Sequence, residues 1–173
     1  MNHDTYDNSY IAGILNSVKT IAMVGASPND VRPSYFVLKY LLAKGFSVFP
    51  INPGQAGKEI LCRAVHASLA DLPQPVDMVD IFRASSAVPG ILDQVLKLDP
   101  LPKVLWMQLG VRHDEAAARA EAAGIKVVMN RCPKIEYGKL SGEIGWTGVN
   151  SGVLSSKKPL MRQGFQSFGV RQK

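Results

Sequence analysis

Cysteine is scarce in this chain. Cys62 and Cys132 are the only two, and they form no C-x-x-C pair. That excludes a disulfide framework and leaves two free thiols as the expectation. The histidines His3, His66 and His113 are scattered, with no metal-ligand spacing, so no metal is expected. Long apolar runs are missing too. None reaches the roughly 18 residues a membrane helix needs. The opening stretch, Met1 to Asn8, is polar and has neither the basic start nor the apolar run of a signal peptide. A cytoplasmic protein without membrane attachment is expected.

What is present suits one globular domain. The chain has 173 residues, 46% of them apolar and 20% charged, which is enough for a full hydrophobic core. The net charge of +6 suits an anionic partner. Part of the surplus lies late in the chain. From Gly138 onward Glu143 is the only acid, against Lys139, Lys157, Lys158, Arg162, Arg171 and Lys173. Residues 151–173 are therefore set apart as a basic tail, and 1–150 as a single domain with an N-terminal helix. No basic face interleaved with aromatics is visible, so nucleic acid is not expected.

Apolar runs and helical periodicities alternate along the chain. Tyr10, Ile11, Ile14, Leu15 and Val18 predict an opening helix capped at Asn8-Ser9. Strands are predicted at Thr20–Val24, Ser47–Asn52, Asp77–Phe82, Lys103–Leu109 and Lys126–Asn130, and a short strand or hairpin arm within Ile60–Val65. Helices are predicted after Pro33, around Val88–Val95 and from Asp114 to Gly124, with one capped turn at Ser68–Leu72. Short apolar strands between amphipathic helices mean a sheet covered on both faces. The fold class is α/β, a doubly wound and mainly parallel sheet of five or six strands with Thr20–Val24 inside it.

Ligands in such sheets bind beyond the carboxyl ends of the strands. Those ends are Gly25-Ala26-Ser27, Asn52-Pro53, Phe82-Arg83, Gln108-Leu109-Gly110 and Asn130-Arg131-Cys132. The first is the most informative. An apolar strand stops at Gly25, a small-residue loop follows, and a helix starts near Pro33. A loop of this kind can bring backbone N–H groups close to a phosphate. Arg32 lies at its mouth, where a guanidinium could pair with that phosphate. The dinucleotide fingerprint is incomplete, because Ser27 and Asn29 stand where further glycine is wanted. The acid that grips an NAD ribose at the end of the second strand is replaced by Asn52. Both departures weigh against ordinary NAD chemistry.

Other candidates have plainer readings. Cys132, before Pro133, sits at the expected pocket mouth, where a thiol could reach a ligand thiol or serve only as packing. Gln108 and Gly110 could set an amide and a glycine backbone beside the ligand. His113 is expected to cap a helix, and Trp106 to lie in the core. Asp77 and Asp80 share one strand and are expected on one face as caps, not as an acid/base pair. No catalytic residue is identified.

VGAS at Val24–Ser27, Arg32-Pro33-Ser34, INP at Ile51–Pro53, VDIFR at Val79–Arg83, WMQLG at Trp106–Gly110 and NRC at Asn130–Cys132 occur here in fixed order. In this order they resemble the CoA-binding protein family. These are small stand-alone bacterial domains similar to the N-terminal domain of the succinyl-CoA synthetase α subunit. The resemblance spans about residues 10–150. It implies a Rossmann-like domain that holds coenzyme A, free or acylated, across the strand ends. Gly25, Ala26, Ser27 and Arg32, with Ser34 following, would hold the diphosphate or the 3′-phosphate. Asn52 and Pro53 would border the nucleotide end, and Phe82 and Arg83 would line the crevice opposite the first loop. The implied role is a non-catalytic carrier, sensor or subunit, with a protein partner possible. The alternative is a nucleotide-dependent enzyme, either a ligase component that needs a partner or an atypical NAD(P)-binding oxidoreductase. A bulkier residue at Gly25 is expected to abolish coenzyme A binding while leaving most of the fold.

Overall fold

A computed structural model describes residues 2–143; the proposed basic tail at 151–173 lies outside them. The chain runs α1 (Asn8–Ser17), β1 (Thr20–Val24), α2 (Pro33–Ala43) and β2 (Ser47–Ile51). A hairpin of β3 (Glu59–Ile60) and β4 (Arg63–Ala64) follows. Then come β5 (Met78–Ile81), α3 (Val88–Val95), β6 (Val104–Met107), α4 (Asp114–Ala122), β7 (Lys126–Val128) and α5 (Pro133–Leu140). The five longer strands form one parallel sheet in the order β2-β1-β5-β6-β7. β1 is internal, as its unbroken apolar run requires.

A parallel sheet needs cover on both faces, and side-chain alternation supplies it. Ile21, Met23, Met78, Val104, Trp106 and Val128 turn toward α1, α2 and α5. Ala22, Val79, Ile81, Leu105, Met107 and Val127 turn toward α3 and α4. Two apolar layers result, one on each side of the sheet.

The Rossmann order is 3-2-1-4-5-6. Here the position of its third strand is reduced to one residue. His66 makes a parallel bridge beside β2, its N–H donating to Pro50 O and its carbonyl accepting from Asn52 N–H, both at 2.9 Å. With His66 counted, the order is that of a Rossmann sheet. The chain reverses direction across the sheet between β1 and β5, and that is the switch point.

Local expectations fail in two places. Asp7, not Asn8 or Ser9, precedes the first turn of α1, and its side chain makes no capping bond; its backbone carbonyl accepts from Tyr10 and Ile11 instead. Asp77 and Asp80 do not share a face. They are three positions apart, and Asp77 precedes β5, where it accepts from Lys19 N–H, Thr20 N–H and the Thr20 hydroxyl. Asp80 lies inside the sheet and is fully buried. Neither caps a helix.

Candidate functional site at the carboxyl ends of the strands

Register aligns the strand ends. Val24 pairs with Ile51 and Ile81, and Ile81 with Met107, so four strands stop on one row. The chain leaves this row at Gly25, Asn52, Phe82 and Gln108. A cleft forms above it.

Gly25 starts the first loop with φ of +91°, a conformation L side chains rarely adopt. Its N–H and that of Ala26 both donate to Ile51 O, at 2.9 and 3.3 Å, which folds the loop over the end of β2. A Cβ on Gly25 would stand 2.7 Å from Phe82 O and 3.0 Å from Arg83 Cδ. Glycine is therefore required by the protein's own backbone. This corrects the expectation that a bulky residue there would spare the fold.

The rest of the loop is bonded to itself. Ser27 N–H donates to Ser34 Oγ, Asn29 N–H to Ser27 Oγ, Val31 N–H to Asn29 Oδ1 and Arg32 N–H to Asn29 O. The N–H groups of Gly25, Ala26, Ser27, Asn29, Val31 and Arg32 thus already have acceptors. What remains toward an anion includes the hydroxyl protons of Ser27 and Ser34, the Ser34 N–H in the first turn of α2, and the guanidinium groups of Arg32 and Arg83. Arg32 is extended, as a residue before proline must be, and exposed. Among the described residues no acid lies within ion-pair distance of either arginine.

Two adjoining cavities occupy the cleft. The larger, about 710 Å³, lies between the first loop, the start of α2, the end of β6 and the start of α5. The smaller, about 400 Å³, lies between Asn52-Pro53, Ser68-Leu69 and the first turn of α3. Gly25, Asn52 and Arg83 border both. Ser27, Arg32, Ser34, Phe82, Gln108 and Cys132 also line the larger, and Pro53 lines the smaller. Ala26 and Gly110 line neither. Ala26 is fully buried and offers only its carbonyl, which accepts from Asn52 Nδ2 at 2.7 Å. Gly110 N–H donates to Asn130 Oδ1 and so ties the ends of β6 and β7 together.

Asn52 has both ends of its amide in use, because Oδ1 accepts from Gly54 N–H. Where an NAD site places a ribose-binding acid, this chain has a side chain stitching two loops. Cys132 is buried, and burial pushes its thiol up to about 11. A protonated, enclosed thiol fits the packing role. Burial likewise pushes Asp80 up to about 8, against the opposing hydrogen bond from Gln108. Trp106 is fully buried, and His113 Nδ1 caps α4 by accepting from Ala116 N–H.

Sequence reasoning missed the apolar walls: Val37 and Ile135 in the larger cavity, and Ala87 and Ile91 in the smaller. A signal existed. A helix following a strand begins at the ligand end of the sheet, and the rule used for α2 applies equally to α3 and α5.

The CoA binding domain family matches residues 19–138. Bacillus subtilis (strain 168) YneT, an uncharacterized protein, is 33% identical over 127 residues, 73% of this chain and 91% of YneT. The Thermus thermophilus structure of cell-free ID.343 is 38% identical with a TM-score of 0.73, over 78% of this chain and 99% of that one. Subunit alpha of acetate–CoA ligase [ADP-forming] I from Pyrococcus furiosus is 25% identical over 151 residues, 79% of this chain but 33% of the subunit. The loop, the strand order and the matched span agree: this chain belongs to the CoA binding domain family.

Proposed function

We propose that the cleft binds coenzyme A or an acyl-CoA, and that the domain acts as a carrier, sensor or subunit without chemistry of its own. The observation that carries this reading is the convergence of Arg32, Arg83 and the Ser27 and Ser34 hydroxyls on one cleft at the switch point. Guanidinium groups bind phosphate through paired N–H donors, and two of them suit a ligand with more than one phosphate. The smaller cavity suits the phosphoadenosine end, against Asn52-Pro53 and the first turn of α3. The larger has an apolar wall of Val37, Phe82 and Ile135 that suits a long uncharged arm. Asn52, with its amide already bonded, leaves no acid for the ribose of NAD.

A second reading is a ligase component. It is favoured by the similarity to a ligase subunit alpha, of whose length this chain spans a third. Acyl activation would then come from a protein partner. No helix among the described residues is long and apolar enough to cross a membrane.

A thermal-shift comparison of coenzyme A, acetyl-CoA, NAD, NADP and ATP at equal concentration tests the proposal. Ligands that bind only the native state raise its melting temperature in order of affinity. Coenzyme A or acetyl-CoA should give the largest shift. Equal shifts for every nucleotide would reduce the cleft to a general phosphate trap, and a larger NAD shift would favour an oxidoreductase.

A further inference from the structure

Gln108 is the one long polar side chain on the floor of the larger cavity that is almost wholly buried. Its Nε2 donates to both oxygens of Asp80, at 3.0 and 3.1 Å. Asp80 sits in the middle of β5, paired in register with Met23 and Trp106, and has no exposed surface. Gln108 is its side-chain partner. A carboxyl group in a sheet interior is unfavourable, and an apolar pair in these two positions would pack without it. The arrangement does something an apolar pair could not. An ionised Asp80 can only accept, so it holds Nε2 and keeps the amide from turning over, and the carbonyl Oε1 is the polar atom left for the cavity. Val37, Phe82 and Ile135 give that cavity an apolar wall, beside which an acceptor reads a single donor.

We infer that Asp80 and Gln108 form a fixed hydrogen-bond acceptor in the cleft, with Asp80 positioning the amide and Gln108 Oε1 accepting an N–H from the ligand's uncharged arm. The inference rests on the coenzyme A reading and narrows it. The pantetheine arm carries secondary-amide N–H groups. ATP and adenosine 3′,5′-diphosphate have no such arm. Gln108 thus selects for the arm, while Arg32 and Arg83 attract the phosphates.

The environment of Asp80 fits this role. Above its raised value of about 8 the carboxyl is ionised and can only accept, which holds Nε2 against it.

Titration calorimetry with coenzyme A and with adenosine 3′,5′-diphosphate tests the inference. Gln108→Leu should weaken coenzyme A about tenfold, the worth of one neutral hydrogen bond, and leave the truncated ligand unchanged. Asp80→Asn should weaken coenzyme A selectively as well, because an asparagine amide can also donate to Oε1 and no longer fixes which end of Gln108 faces the cavity. Gln108→Leu strands the Asp80 carboxyl and can cost the fold. The double variant Asp80→Leu/Gln108→Met removes both polar groups and should show the same selective loss in a folded protein. Equal losses for both ligands, or no loss in either Gln108 variant, would overturn the inference. Failure of the wild type to bind either ligand would sink the coenzyme A reading, and this inference with it.

Discussion

At the amino edge of the sheet Asp77 accepts from Lys19 N–H, Thr20 N–H and the Thr20 hydroxyl, and pairs with Lys103 Nζ at 2.7 Å. At the carboxyl edge, across the switch point, Arg32 and Arg83 face a cavity with no acid in reach among the described residues. Farther along that same edge arginines are paired again. Arg112 meets Asp4 and Asp114, and Arg131 lies 4.0 Å from Glu136. Of these four carboxyl-edge arginines, the two with no acid in reach among the described residues stand where the sheet order reverses. The amino edge spends its polar groups on joining β1 to β5 and β6, while the carboxyl edge leaves them for a ligand. The difference separates residues whose loss should cost stability from those whose loss should cost binding.

Gly25 breaks that division and should give the largest effect. It sits at the binding edge but is also wedged against Phe82 O. Gly25→Val combines a strained φ with a backbone clash, each worth about 1–3 kcal/mol, so roughly 2–5 kcal/mol of stability should go along with coenzyme A binding. Denaturant melts and calorimetry on the same sample check this. Full stability with lost binding would return Gly25 to a purely ligand-facing role.

Asp77→Ala should follow, with a loss of about 2–4 kcal/mol from several broken charge-assisted hydrogen bonds, and with coenzyme A affinity unchanged. The pH dependence sharpens it. Burial alone would raise the Asp77 pKa, but the donors from Lys103, Lys19 and Thr20 outweigh it and hold the carboxyl well below the usual range. A depressed folded pKa means the stabilisation is present above the unfolded value of about 3.9 and fades as pH falls below it. The melting-temperature gap between wild type and Asp77→Asn should therefore narrow from pH 6 toward pH 2. A constant gap would mean packing, not charge, holds this edge.

Arg32→Ala should leave the melting temperature of the free protein nearly unchanged and weaken coenzyme A roughly ten- to a hundredfold. Arg119→Ala is the contrast, since Arg119 pairs with Asp93 on the α3–α4 side, away from the cleft. Equal losses at the two positions would mean that overall basicity, and not a formed site, attracts the ligand.

Much of this was legible before the structure. Period and apolar run length located every long strand, and the alternation gave the sheet and its ligand edge. Ten of the twelve candidate site residues border the two cavities. What stayed hidden depended on contacts between distant segments. The 2.7 Å approach of a Gly25 Cβ to Phe82 O joins residues far apart in sequence, and so does the Asn52 amide reaching Ala26. The internal bonding of the Ser27–Arg32 loop was also invisible, because a loop read one residue at a time shows its donors but not its acceptors. Asp77 and Asp80 stand three positions apart, so the period of two sets them on opposite faces, against the expectation of one.

The central claim is that ligand binding belongs to one edge of the sheet. Amide chemical-shift mapping of isotope-labelled protein titrated with coenzyme A tests it most directly. The account predicts shifts concentrated at Gly25, Ser27, Ser34, Asn52, Phe82, Arg83 and Gln108, with Thr20, Asp77 and Lys103 silent. Shifts centred on Thr20, Asp77 and Lys103, or no shifts at all, would contradict it.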